Sequence, residues 1–354
     1  MEKEIQYLLE MIDRPVFIVH DGIIQQANQM AKNRLIRIGD AIAPLVENHA
    51  DDYTAFQSGN LHLTLDFGEF TCGASVHKHE DSDVFLMDRE EDLVQLQALA
   101  LAGQQIRTPL TSIMSLADML LPRLQEDSKE RELVGQLSRG LFQLLRIAGN
   151  MADAERYSDN RIINMQRTEM AGFLKEVFAK AAAHLESKSV QLQYSGLSNS
   201  VFTLADREQL ERAIYNIVSN AAKFAPKGST VSAAAEVVGK LLRISIEDLG
   251  DGIPQHVQGS LFHRYQREPA IEDSRHGLGL GLTLIHAVAS VHGGTVLIDH
   301  PKGTRVTMTV AIRKQIPGGL RSPVLQISNY TGGWDSALVE LSDSLPPSSY
   351  ENIF

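Results

Sequence analysis

The stretch "NIVSNAAKF", residues 216–224, decides how the rest of the chain is read. Asn216 and Asn220 are four apart, so on a helix their amides share one face, and Lys223 follows beside them. Amide oxygens suit a hard cation such as magnesium, and an ammonium group answers a phosphate. On its own such a pair is ordinary helix surface. Two stretches downstream change its weight. "EDLGDGIP" (247–254) puts Asp248 at a strand end, before Gly250 and Gly252. A carboxylate there accepts from the exocyclic amine of a base, and the glycines let backbone approach a ring. "HGLGLGL" (276–282) sets Gly277, Gly279 and Gly281 at the start of a helix, where unpaired N–H groups form an anion site. Between them, "LFHRYQRE" (261–268) supplies Arg264 and Arg267.

Around this centre the chain alternates strand and helix. "VQLQYSG", "VFTLAD", "STVSAAAEV", "LLRISIEDLG", "GTVLIDH" and "RVTMTVAI" read as strands, and "REQLERAIYNIVSNAAKFA" and "GLTLIHAVASVHG" as amphipathic helices. Residues 165–314 therefore form one α/β unit. Upstream the period changes. Leu96, Leu99, Gly103, Ile106, Leu110, Ile113, Ala117 and Leu120 are spaced alternately three and four apart, a heptad seam on one helix. Pro122 and a charged turn interrupt it. Val134, Leu137, Leu141, Leu144, Ala148, Met151 and Glu155 repeat the spacing. The pair predicts an antiparallel helical hairpin over 91–160, and a second copy is its natural partner in a symmetric four-helix bundle.

Residues 1–90 read as mixed α/β. The strand "VFIV", the turn at Asp21-Gly22 and the strand "IIQQAN" make a hairpin, because Asp-Gly between apolar runs suits a two-residue turn. "LHLTLDFGEFTCGASV" and "DVFLMD" add further strands. The lone cysteine, Cys72, reads as a small buried apolar residue. Residues 315–354 are rich in Pro, Gly and Ser and predict a loose tail, although "GGWDSALVELSDSL" has the pattern of a short amphipathic helix that docks on a partner.

The totals narrow the class. A chain of 354 residues holds two or three domains. The formal net charge of −11, from 33 basic and 44 acidic residues, argues against a general nucleic-acid binder. One cysteine forms no internal disulfide, which fits a reducing compartment. No apolar run reaches the ~18–20 residues of a membrane span, and the start is not a signal peptide. The expectation is a cytoplasmic protein.

Taken in order, the motifs resemble the ATP-binding domain of sensor histidine kinases, the Bergerat fold. "NIVSNAAKF" resembles the N box, "DLGDGIP" the first glycine box, "LFHRYQR" the F box and "HGLGLGL" the second glycine box. The resemblance covers residues 90–314. It implies an α+β multidomain protein whose cofactors are ATP and Mg2+: Asp248 holds the adenine amino group, with Gly250 and Gly252 beside it. Asn220 ligates magnesium with Asn216 in support, and Lys223, Arg264 and Arg267 face the phosphates. The backbone at Gly277, Gly279 and Gly281 holds the lid end. The order of elements in 1–90 resembles a PAS sensor, with Asn28 before a short helix; any small α+β module is the alternative.

The same family carries a phosphoacceptor on the first hairpin helix, usually His, an acidic residue or Asn, any residue, then Arg-Thr-Pro-Leu. Here "QQIRTPL" keeps Arg107, Thr108, Pro109 and Leu110, but Gln104 stands at the acceptor position and Gln105 at the acidic one. An amide nitrogen is not nucleophilic, because its lone pair is delocalised, whereas an imidazole has a free ring nitrogen near neutral pH. Gln105 is no general base. None of the twelve histidines lies between His79 and His184. Self-phosphorylation at the usual place is therefore not expected, and whether the chain is an enzyme at all stays open. Three readings remain: a nucleotide-dependent pseudokinase switch or scaffold, a kinase acting in trans on a partner's histidine, and a response-regulator phosphatase using Thr108. Implied partners are a second copy through the hairpin and a response regulator or partner histidine kinase, with no nucleic acid and no membrane span.

Overall fold

The computed structural model describes residues 2–79, 81–88, 91–120, 128–153, 164–253, 280–313, 331–351 and 353. The architecture is mixed α/β. Its helices are α1 (Glu2–Glu10), α2 (Gln29–Lys32), α3 (Ala50–Ala55), α4 (Glu91–Leu120), α5 (Ser128–Asp153), α6 (Met170–Leu185), α7 (Arg207–Phe224), α8 (Leu280–Val291) and α9 (Ser336–Glu340). Its strands are β1 (Val16–His20), β2 (Ile23–Ala27), β3 (Asn60–Asp66), β4 (Thr71–His79), β5 (Ser82–Met87), β6 (Gln166–Glu169), β7 (Gln191–Ser195), β8 (Phe202–Ala205), β9 (Thr230–Val238), β10 (Leu241–Glu247), β11 (Val296–Asp299) and β12 (Arg305–Ala311).

The Asp21-Gly22 turn joins β1 to β2 with both residues at positive φ, 48° and 75°, as a tight hairpin requires. Asn28 is buried and builds the corner after β2. Its Oδ1 accepts from the backbone N–H of Val16 and Ala31, capping α2, and its Nδ2 donates to the carbonyls of Leu9, Ile12 and Arg14. Cys72 is buried as its alternating strand predicts, and burial pushes its thiol pKa up.

Ten strands form one sheet, in the order β2-β1-β5-β4-β3-β11-β12-β10-β9-β7. The five strands of the first 90 residues and five of the later unit thus share a ladder. The join is antiparallel pairing of β3 with β11, Val296 opposite His62 and Ile298 opposite Asn60. Each half offers an edge strand, and pairing satisfies both rows of N–H and C=O groups. Gly59 (φ 94°) permits the approach, since a Cβ there would meet the Ile298 carbonyl. Side chains reinforce the join. Thr64 Oγ1 bonds Ser290 Oγ at 2.9 Å, and the Asp52 carboxylate accepts from the hydroxyls of Thr295 and Thr309.

The hairpin of α4 and α5 divides its heptad positions between two faces. Leu110, Met114 and Ala117 of α4 and Val134, Leu141, Leu145 and Ala148 of α5 are buried between the helices. At Gly103 the helices come so close that a Cβ would stand 2.6–2.7 Å from backbone atoms of Ala148 and Ala152. Ile106, Ile113, Leu137 and Leu144, expected in the same seam, are exposed, as are Leu101, Leu116, Met119 and Leu133. The buried positions recur every seven residues, at 103, 110 and 117 and at 134, 141 and 148, and the exposed ones interleave with them on the neighbouring stripe.

The tail departs from expectation. Residues 331–351 are folded: Asp335 caps α9 by accepting from the N–H groups of Ala337 and Leu338, and Ala337, Val339, Leu341, Leu345 and Tyr350 join the core formed by α5, α6 and α7. The Pro and Gly content marks turns here, not looseness, and the apolar residues among them find a surface on the chain's own helices.

Candidate functional site

Helix α7 carries "NIVSNAAKF". Asp206 caps it, Oδ1 accepting from the Gln209 N–H at 3.2 Å. The Asp206 N–H donates to His292 Nε2 at 3.0 Å, while His292 Nδ1 faces the Val288 carbonyl at 2.7 Å. One buried imidazole thereby fixes the start of α7 against the end of α8. Burial holds its pKa below the ordinary value, so it works as a neutral ring with one donor and one acceptor.

At the other end of α7 the backbone after β10 turns back over Phe224. Asp248 is 4% exposed, and its carboxyl Oδ1 accepts from the Gly250 N–H at 2.8 Å. Its own N–H donates to the Thr304 carbonyl. Burial raises its carboxyl pKa, opposed by the backbone N–H groups of Gly250 and Thr304 that face the carboxylate. Two glycines make this corner. A Cβ at Gly250 would stand 2.8 Å from both Asp248 Oδ1 and the Phe224 carbonyl, and one at Gly303 would sit 2.1 Å from the Asp248 carbonyl. Gly252 has φ 75°. Gly281, in the first turn of α8, lies against the two asparagines, its built Cβ 3.4 Å from Asn216 Oδ1 and 4.0 Å from Asn220 Nδ2. Asn216, Asn220 and Gly281 are thus brought together along α7, and Asp248 and Gly250 meet its last residue, Phe224. Arg264, Arg267, Gly277 and Gly279 lie outside the described residues.

Asn216 is fully buried, and groups from two distant segments hold it. Its Oδ1 accepts from Arg146 Nη2 of α5 at 2.8 Å; its Nδ2 donates to Glu340 Oε2 of α9 at 2.9 Å and to the Arg212 carbonyl at 3.0 Å. Glu340 is itself fully buried and takes Nε donors from Arg212 at 3.0 Å and Arg146 at 3.3 Å. Arg212 Nη2 donates to Asn150 Oδ1 of α5. Asp343 lies 2.6 Å from Arg146 Nη1 and 3.9 Å from Lys223 Nζ. A carboxylate buried among two guanidinium groups and an amide is fully hydrogen-bonded, the condition under which buried charge is tolerated. Asn220 is half-buried on the same helix.

Sequence reasoning missed Arg146, Arg212, Glu340, Asp343 and Gly303. Arg212 was the most accessible of these, four residues before Asn216 on the same face. "DSALVE" also carries an N-cap ahead of an apolar run, the signature of the helix that delivers Glu340.

On the hairpin, Gln104, Gln105 and Thr108 are exposed on α4, and Arg107 is half-buried. The Thr108 carbonyl accepts from Ser112 Oγ, and Gly103 holds the adjacent turn against α5.

Residues 205–314 match the family model of histidine kinase-, DNA gyrase B- and HSP90-like ATPases, which defines the class of the domain around α7. The chain is 28% identical over 221 residues to the histidine protein kinase DivJ of Caulobacter vibrioides, covering 60% of this chain and 36% of that protein. It is 28% identical over 234 residues to the sensor histidine kinase CusS of Escherichia coli K12, covering 64% and 48%. It is 28% identical over 265 residues to the sensor-like histidine kinase SenX3 of Mycobacterium bovis, covering 68% and 62%. The chain spans less than two thirds of the length of each of these relatives. The crystal structure of full-length ShkA in complex with AMPPNP aligns with a TM-score of 0.49 at 22% identity, covering 61% of this chain and 46% of that one. Residues 205–314 thus carry a histidine kinase-type ATPase domain, and 60–68% of the chain is similar to histidine kinases. Among the described residues no helix is long and apolar enough to cross a membrane.

Proposed function

We propose that the chain binds ATP with magnesium and acts as a nucleotide-dependent switch or scaffold in two-component signalling, without phosphorylating itself. The observation that carries this reading is Gln104. It stands exposed on α4 at the acceptor position of a chain that keeps a buried Asp248 and its close-packed glycines. An exposed amide offers no nucleophile to a phosphoryl group, while the surroundings of Asp248 retain the features a base needs.

The fit to ATP differs along the site. At the base end, Asp248 is buried with a carboxylate able to accept from an exocyclic amine, and Gly250 and Gly303 let backbone close around it where a Cβ would collide. At the phosphate end, Asn220 would ligate magnesium and Lys223 would face the phosphates; Asn216, expected in support, does not fit as a ligand, because it is fully buried and its Oδ1 accepts from Arg146. Bound ATP would supply an activated phosphoryl group and magnesium would neutralise its charge. The chain's own residues orient it: the Gly250 N–H fixes the Asp248 carboxylate, and Gly281 keeps the start of α8 close to both asparagines.

The exposed row on α4 and α5 supports dimerisation through the hairpin. Ile106, Ile113, Leu137 and Leu144 would bury against their copies, completing a four-helix bundle. A PAS-type sensor role for residues 1–90 is supported by the strand order β2-β1-β5-β4-β3, joined directly to the ATPase sheet. A response regulator or a partner histidine kinase is the expected partner. Thr108, exposed one turn from Gln104, keeps the phosphatase reading as the second possibility.

Incubation of the purified chain with γ-labelled ATP and magnesium tests the reading. The natural chain should stay unlabelled, and Gln104→His should become labelled at an acid-labile site if the ATP site is chemically competent. Acid-labile label on the natural chain would overturn the proposal. Loss of phosphatase activity in Thr108→Ala, from a natural chain that had it, would favour the second reading.

A further inference from the structure

We infer that the C-terminal segment, residues 331–351, is an intramolecular stopper on the phosphate end of the nucleotide site, so that docked tail and bound nucleotide exclude one another. The inference rests on the ATP reading above and concerns the same groups. Two tail carboxylates occupy α7 where the family resemblance puts metal and phosphate. Asp343 sits beside the Lys223 ammonium, and Glu340 accepts from the Asn216 Nδ2 one turn before Asn220. Lys223 is the cation through which α7 would receive the anionic end of ATP, and a second anion brought to it meets charge of its own sign.

The segment is built for this position. Glu340 is fully buried and meets two guanidinium groups and an amide at once, an arrangement that a surface-adhering tail has no reason to make. Asp335 starts the helix that carries it, and Tyr350 closes the segment by donating from its hydroxyl to the Leu338 carbonyl at 2.8 Å. Phe142 of α5 receives Trp334 and Tyr350, ring centroids 5.6 and 5.3 Å away. At Gly135 a Cβ would stand 2.6 Å from the Pro347 carbonyl, so α5 is cut back where the tail crosses it.

The tail also ties two parts of the molecule together. Glu340 and Asp343 bridge Arg146 of α5 to Arg212, Asn216 and Lys223 of α7, and Arg139 of α5 donates to the carbonyls of Ser342 and Asp343. Displacing the tail would remove most of the charge that clamps the ATPase domain to the hairpin. Nucleotide arrival would then be read out as release of α5 from α7, which is how a chain without a phosphoacceptor can still signal.

Hydrogen–deuterium exchange on the full natural chain, with and without saturating ATP and magnesium, is the test. Protection at residues 216–224 and 248–253 reports occupancy, and the amides of 336–345 report the tail. The expected result is that exchange at 336–345 speeds by about tenfold or more when nucleotide binds. Unchanged or slower exchange there, with nucleotide bound, overturns the inference. A second arm measures ATP affinity in variants. Glu340→Gln weakens the buried contact but strains the fold, because Arg146 and Arg212 lose a charge partner. Asp343→Asn, at a part-exposed side chain, loosens the tail beside Lys223 and guards against that outcome. Each should bind ATP about tenfold more tightly than the natural chain, a difference of about 1.4 kcal/mol. Equal affinity in natural chain and variants overturns this inference and leaves the ATP reading standing. No binding by any of them overturns the ATP reading, and this inference with it.

Discussion

The two ends of the nucleotide site are made in opposite ways. At the base end, a short local segment does everything: Asp248, Gly250 and Gly252 follow one another in sequence, and the buried carboxylate is set by the next residue but one. At the phosphate end, Asn216 belongs to α7, yet its two side-chain atoms are held by Arg146 from 70 residues before and Glu340 from 124 residues after. A site assembled locally is preset for its ligand whatever the rest of the chain does. A site assembled from distant segments can be occupied, and therefore regulated, by those segments.

The same contrast explains how much could be read in advance. The strands from 191 to 311 and the turn at Asp21-Gly22 were legible, because each rests on local spacing that only one backbone geometry satisfies. The tail was not. Its composition signals disorder when averaged over 40 residues, while the few residues that matter, Glu340, Leu341, Leu345 and Tyr350, acquire meaning only against α5 and α7. The β3–β11 join was equally hidden, since an edge strand reads alike whether its outer face meets water or another sheet. On the hairpin the heptad spacing was correct but ambiguous. It could not say that Leu110 faces inward while Ile106 and Ile113 face out, because both sets obey the same period.

Several substitutions would break or sharpen the contrast between the two ends. The largest effect belongs to Glu340→Ala. It removes the buried carboxylate from Arg212 and leaves Arg146 with Asp343, and a loss of about 3–5 kcal/mol in unfolding free energy is expected by denaturant titration. A loss under about 1 kcal/mol would show that the network contributes little. Next is Gly303→Ala, whose Cβ collides with the Asp248 carbonyl 2.1 Å away. It should destabilise by about 1–3 kcal/mol and weaken nucleotide binding at the base end, leaving exchange at the tail as in the natural chain.

Acidification acts on both sides of the molecule through His292 and His49, whose pKa values are lowered chiefly by burial. A depressed folded pKa contributes stability that is present above the unfolded imidazole value of about 6.5 and is lost as pH falls below it. The melting temperature should drop between about pH 7 and pH 5, and His292→Gln should lower the starting value while flattening that drop. The smallest effect is expected for Gln104→Ala. An exposed amide on α4 touches neither end, so stability should stay within about 0.5 kcal/mol and ATP affinity should not move.

The most direct measurement is a calorimetric titration of the full natural chain and of Asp248→Asn with ATP and magnesium. The account predicts saturable binding to the natural chain and a loss of at least about tenfold in affinity for Asp248→Asn, since a charge-assisted hydrogen bond becomes a neutral one. Equal affinity for the two proteins, or no binding to the natural chain, would contradict it.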